Sequence, residues 1–168
     1  VASAALHNQL SPRKYEIIPR KGEYYLLDHE IKPMFSRTMF QTPSAMGKGV
    51  LVSPTVHGNL LLGPSANDVE DGLDVSTTAA ALKLVAEKSR LTWPKENLRT
   101  VVTTFAGMRA HEKNGDFIIG ATEGARGAYE TIGIESPGLS AAPAIARMLC
   151  EQLADENGLK RKAEWKPA

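Results

Sequence analysis

A single cysteine, Cys150, stands in 168 residues, which excludes an internal disulfide framework and fits a reducing compartment. Neither sign of charge is in excess: the formal net charge is +1, and the lysines and arginines are scattered along the chain. No basic stripe forms, so no nucleic-acid partner is expected. Apolar runs are short, Leu60-Leu61-Leu62 being typical, whereas about 20 apolar residues are needed to span a bilayer. No transmembrane segment is expected. No secretory pattern opens the chain, so a cytoplasmic location is the expectation, with membrane association open for a longer parent. Val1 stands where a complete chain would carry methionine, which suggests a piece of a longer protein.

The common catalytic signatures are missing as well. His7, His29, His57 and His111 show neither H-E-x-x-H nor Cys/His spacing, so no metal site is expected. There is no G-x-S-x-G elbow for a nucleophilic serine. Gly47-Lys48-Gly49 has the look of a phosphate loop, but the upstream glycine and the following Ser or Thr are absent. No G-x-G-x-x-G occurs, so a dinucleotide fingerprint is not part of this sequence.

What remains is an ordinary globular composition, 42% hydrophobic and 23% charged, enough for one well-buried core. Residues 1–12 have weak helical character that stops at Ser11-Pro12. Tyr15 to Ile18 and Glu23 to Leu27 read as strands broken at Pro19-Arg20-Lys21-Gly22. The run from Gly49 to Val56, the His57-Gly58-Asn59 turn and Leu60-Leu61-Leu62 make a hairpin. Pro54 consigns its first strand to an edge or a bulge. Asp74 to Leu91 carries a helical stripe with Ser76 or Thr77 as cap, ended by Trp93-Pro94. Val101 to Phe105, Phe117 to Ile119 and Tyr129 to Ile134 read as further strands. A helix over Ser140 to Ala154 follows, with Ala144, Ile145, Met148, Leu149 and Leu153 on one side and Pro143 in its first turn. The tail from Gly158 is basic and polar. Many strands with two substantial helices, without βαβ alternation, indicate an α+β fold with a largely antiparallel sheet.

Two places suit chemistry. In Thr131-Ile-Gly-Ile-Glu-Ser-Pro-Gly-Leu-Ser a strand runs through a glycine turn into a helix N-terminus, where free amides and the positive end of the helix dipole point at one spot. Small residues there let a flat ligand approach the backbone. The alternative is a plain corner of the fold capped by Ser136 or Ser140. Arg109, after Phe105-Ala106-Gly107-Met108, would project from the end of a strand with a fork of donors suited to carboxylate or phosphate. A surface ion pair with Glu112 or Asp116 is the competing reading.

Several stretches, in order, resemble the FAD-dependent glycerol-3-phosphate dehydrogenases and their neighbours, the L-2-hydroxyglutarate oxidases. They are Pro19-Arg-Lys-Gly-Glu-Tyr-Tyr-Leu-Leu-Asp28, Gly47 to Pro64, Ser76-Thr-Thr78, Phe105-Ala-Gly-Met-Arg-Ala110, Gly115 to Ile119 and Gly133 to Ala146. The resemblance covers residues from about 19 to 150. It implies an enzyme of the D-amino-acid-oxidase type, in which a Rossmann-like half grips the FAD adenosine and pyrophosphate and a second domain covers the flavin ring. On this pattern residues 13–130 are the substrate domain, 131–155 return to the flavin, and 156–168 form a basic tail. FAD belongs to the full-length parent and is expected to be absent from this piece alone, which as an isolated module would be inactive.

The substrate implied is a small anionic 2-hydroxy compound, glycerol 3-phosphate first and L-2-hydroxyglutarate second. The resemblance assigns Arg109 to the substrate anion and Glu135, Ser136, Pro137, Gly138 and Leu139 to the pyrimidine edge of the flavin. Lys48 is a further substrate-binding candidate and His57 a candidate base, though both also suit plain polar loop positions. Cys150 reads as a packing residue within its helix. The resemblance names no electron acceptor.

Overall fold

The computed structural model describes residues 2–31, 36–43, 49–95, 98–160, 162 and 164. Its elements are three α-helices, a short 3-10 helix (Leu98–Thr100) and seven strands among those residues, and the strand pairs whose register is resolved are antiparallel. The fold is α+β, as its strand-rich sequence indicated. The chain divides into two compact units, residues 19–109 and residues 1–18 with 110–168.

Within residues 19–109 the sheet order is β2 (Leu51–Pro54), β3 (Leu60–Gly63), β1 (Ile17–Leu27) and β4 (Asn67–Asp68), with β5 (Val101–Glu112) also paired to β1. The expected hairpin is there: Leu51 faces Gly63 and Pro54 faces Leu60. Pro54 lies at the end of the sheet path, where a missing N–H does little harm. Helix α1 (Ser3–Leu10) precedes this sheet in the chain, and α2 (Ala79–Thr92) packs on the hairpin. Leu27, Val50, Val52, Leu60, Leu62, Val85 and Trp93 close the core between them. Burial of such side chains contributes about 1.5–3 kcal/mol each, the main stabilising term here.

Three expectations are corrected. First, β1 does not break at Pro19 to Gly22. Lys21 pairs with Asn67 and Arg20 with Asp68, while Val69 N–H donates to the Pro19 carbonyl at 2.9 Å. This pairing uses the proline's acceptor and asks nothing of its missing donor. Second, β5 does not stop at Phe105 but runs through Gly107 to Glu112. Its unbroken neighbour allows this: Asp28 N–H donates to Thr100 O at 2.8 Å, and Lys113 N–H donates to Glu16 O at 3.1 Å. Third, α2 starts later than Asp74 and is capped by Thr78, whose hydroxyl accepts from Ala81 N–H at 3.3 Å. Asp74 is otherwise engaged. Hydrogen bonds from Ser76 and the Lys21 ammonium hold its carboxyl well below the usual carboxylate range.

Glu23 sets the position of α2. Its carboxylate is fully buried and accepts from Thr78 N–H at 2.6 Å and from the Thr78 hydroxyl at 3.1 Å. A negative group at a helix N-terminus is favoured by both the free amides and the dipole. Glu23→Ala should therefore cost about 2–4 kcal/mol, from two lost charge-assisted bonds and a cavity, read as a lower denaturant midpoint.

The other unit contains α1, the antiparallel pair β6 (Ile118–Ala121) and β7 (Tyr129–Ile132), and α3 (Gly138–Asn157). His7 is buried, with Nδ1 2.5 Å from a Glu130 carboxylate oxygen and Nε2 2.9 Å from the Arg13 carbonyl. These contacts hold α1 to β7. Helix α3 begins at Gly138, so Pro143 falls in its second turn and leaves the Leu139 carbonyl without its usual helical donor. Of the expected apolar stripe on α3, Ile145 is buried while Met148 is 55% exposed. Cys150, expected to pack, is exposed and unpaired.

Candidate active site

In the unit of residues 19–109, Arg109 lies over Gly22. A β-carbon at Gly22 would fall 2.9 Å from the Arg109 Nη2 atom and 3.0 Å from Pro64 Cβ. Glycine is needed here for close approach, since its φ is not positive. The same Nη2 atom donates to the Ser65 carbonyl at 2.7 Å. Ser65 is itself fixed, its N–H bonded to Glu23 O and its hydroxyl accepting from Glu23 N–H. The buried Glu23 thus sets both the helix and the loop that holds the arginine.

A guanidinium carries five N–H donors. One is spent on Ser65, and among the described residues no carboxylate pairs with Arg109. The competing ion pair with Glu112 or Asp116 is absent: Glu112 accepts from Asn114, and Asp116 accepts from Phe117 N–H. Arg109 lies within β5 rather than past its end, half-buried, with most of its fork free to meet an anion.

In the other unit the chain leaves β7 through Gly133, at φ 69°, where a β-carbon would lie 2.6 Å from Glu112 Cβ. Gly138 has ordinary φ but no room: its β-carbon would meet Ile134 Cγ2 at 2.5 Å. The positive φ of this turn sits at Gly133, and at Gly138 glycine answers to close packing. Neither Ser136 nor Ser140 caps α3; Pro137 occupies the N-cap and no side chain bonds there. Gly138 N–H donates to Glu135 O at 2.5 Å. The amides of Leu139 and Ser140 have no acceptor among the described residues. No acidic residue sits in the first turn, and Leu139 is 93% exposed. An uncapped 20-residue helix thus presents free donors and a positive dipole end beside open apolar surface.

The Glu135 carboxylate is held by His111, with Nδ1 2.7 Å from Oε1 and both side chains largely buried. Sequence reasoning missed His111; its signal was proximity in sequence to Arg109. His57 is exposed at the hairpin tip, where Gly58 approaches His29. Lys48 lies outside the described residues. Among the described residues no cluster of His, Cys, Asp or Glu could hold a metal, and no helix is long and apolar enough to cross a membrane.

Comparison with known proteins shows the family of the chain. The FAD dependent oxidoreductase family, DAO, matches residues 1–152. The chain belongs to that family. It is 43% identical over 163 residues to a glycerol 3-phosphate dehydrogenase of Caloramator mitchellensis, covering 96% of this chain and 34% of the relative. A glycerol 3-phosphate oxidase of Mycoplasma pneumoniae is 33% identical over 156 residues, covering 90% of this chain and 39% of the relative. The chain thus spans little more than a third of the length of these relatives. Among solved structures, dithionite-reduced L-alpha-glycerophosphate oxidase from Mycoplasma pneumoniae with FAD bound superposes with a TM-score of 0.85 at 29% identity. That match covers 98% of this chain and 43% of the other. A glycine oxidase from Geobacillus kaustophilus, at 20% identity and a TM-score of 0.72, shares the fold.

Proposed function

We propose that the full-length protein oxidises a small anionic 2-hydroxy compound, glycerol 3-phosphate, by hydride transfer to FAD. The observation that carries this reading is the 43% identity to a glycerol 3-phosphate dehydrogenase over nearly the whole chain. Arg109, with its fork unspent, supports it from the structure. In this reading residues 13–130 form the substrate side, and 131–155 return to the flavin.

The residues at Glu135 to Leu139 fit a flavin edge: the first amides of α3 are free, and the surface beside them is apolar and open. When bound, FAD supplies the hydride acceptor. The free amides of Leu139 and Ser140 would hold the flavin edge and would favour negative charge there, by the same logic as an oxyanion hole. His111 keeps the Glu135 carboxylate from swinging into that space. Arg109 binds the substrate's anionic group and so fixes the distance and orientation of the carbinol carbon, which is where positioning contributes to rate.

Anaerobic addition of glycerol 3-phosphate to the full-length protein should bleach its flavin absorbance. Bleaching by L-2-hydroxyglutarate instead would move the assignment to the 2-hydroxy acid oxidases. The 168-residue chain alone is expected to bind FAD weakly or not at all, because adenosine and pyrophosphate contacts come from a glycine-rich fingerprint this sequence does not carry. A tight one-to-one complex in a spectroscopic titration would show that expectation to be wrong.

A further inference from the structure

Gly22 and Tyr24 are two residues apart in β1, so both present the same face of the strand. Arg109 lies over Gly22, and Phe105 stacks on Tyr24 with ring centroids 5.0 Å apart and planes 10° from parallel. Tyr24 is held from a second side by Gly63, at φ 139°, where a β-carbon would come within 2.6 Å of Tyr24 Cδ1 and 2.8 Å of Glu23 O. The ring is therefore fixed by a neighbouring aromatic and by a position where no side chain fits. Its hydroxyl, by contrast, has no hydrogen-bond partner among the described residues. Between Phe105 and Arg109 on β5 the space is open: a β-carbon at Gly107 would meet nothing within 4 Å. A half-buried donor without an acceptor, beside a guanidinium with unspent donors, calls for a ligand that supplies acceptors to both.

We propose that Tyr24 is a second anion-recognising residue of this site, donating its phenolic O–H to the same anionic group that Arg109 binds. The inference rests on the reading of Arg109 as the substrate-anion clamp. A planar fork meets two oxygens of a phosphate and leaves a third for a single donor. Burial pushes the Tyr24 phenol above its ordinary range, against the pull of the Arg109 charge. The hydroxyl accordingly stays a donor through neutral pH. Stacking on Phe105 holds the ring in place before the ligand arrives, so little rotamer freedom is lost on binding.

Tyr24→Phe keeps the ring and the stack and deletes the O–H. Calorimetric titration of the flavin-loaded full-length protein with inorganic phosphate should give an affinity weakened about 10-fold in Tyr24→Phe. KM for glycerol 3-phosphate should rise in step, with flavin content and melting temperature unchanged. Equal phosphate affinity in the two proteins overturns the proposal, and so does a wild-type protein that takes up no phosphate. Weakened phosphate binding in the variant upholds it even if neither glycerol 3-phosphate nor L-2-hydroxyglutarate bleaches the flavin. In that case the proposed reaction fails while the anion site stands.

Discussion

Arg109→Ala in the full-length flavoprotein should lower kcat/KM for the anionic substrate by roughly 30- to 5000-fold, equivalent to about 2–5 kcal/mol for a charged hydrogen bond lost from a partly buried site. The magnitude follows from the unspent fork: with no carboxylate beside it, the guanidinium has its interaction energy free for a ligand. Arg109→Lys should lose most of the same effect. A lysine point charge cannot reproduce the planar pair of donors, and it would abandon the Ser65 carbonyl that orients the arginine. Flavin content should be unchanged in both variants if the flavin is held as proposed by the α3 turn, because the Arg109 and Ser65 contacts involve no residue of that turn. Wild-type steady-state kinetics in Arg109→Ala would remove this residue from the site.

Gly138→Val should be the other damaging change. Its β-carbon would meet Ile134 Cγ2 at 2.5 Å, and a methyl on a β-branched carbon, with χ1 tightly restricted, has far less room to swing clear than the tip of a lysine. Relieving the overlap requires the turn to move, costing about 1–3 kcal/mol by overpacking. Moving the turn also re-aims the first amides of α3. If those amides face the flavin, occupancy falls and turnover per bound flavin falls with it. If the turn is a corner of the fold and nothing more, melting temperature drops while activity per flavin stays normal. Measuring both quantities on one preparation separates the outcomes.

The hairpin, the end of α2 at Trp93 and the glycine-rich approach to α3 were legible in the sequence. Each rests on short-range chemistry: a turn glycine, an edge proline, an apolar stripe at helical spacing. The same short-range rules misread β1 and β5. Pro19 and Gly107 are breakers by themselves, but each strand is held through its breaker by a neighbour remote in sequence. The cap of α2 was misplaced for a related reason. Asp74, at the expected start of the helix, is held by Lys21 from β1, and Thr78 is fixed by Glu23.

The site divides in the same way. Motif order in the sequence was enough to single out Arg109 and the stretch from Glu135 to Leu139, and to indicate a flavoenzyme family that the comparisons then showed. Whether Arg109 is free or paired could not be read from its neighbours in sequence, because the group that engages it is Ser65, 44 residues away. Tyr24 looked like one more strand aromatic until Phe105 and Gly63 closed around its ring, and His111 looked like one more polar residue until it met Glu135. Local propensity is set by a few adjacent residues and is therefore written along the chain. The donors and acceptors left over are what remains after distant strands have paired, and tertiary structure alone decides that remainder.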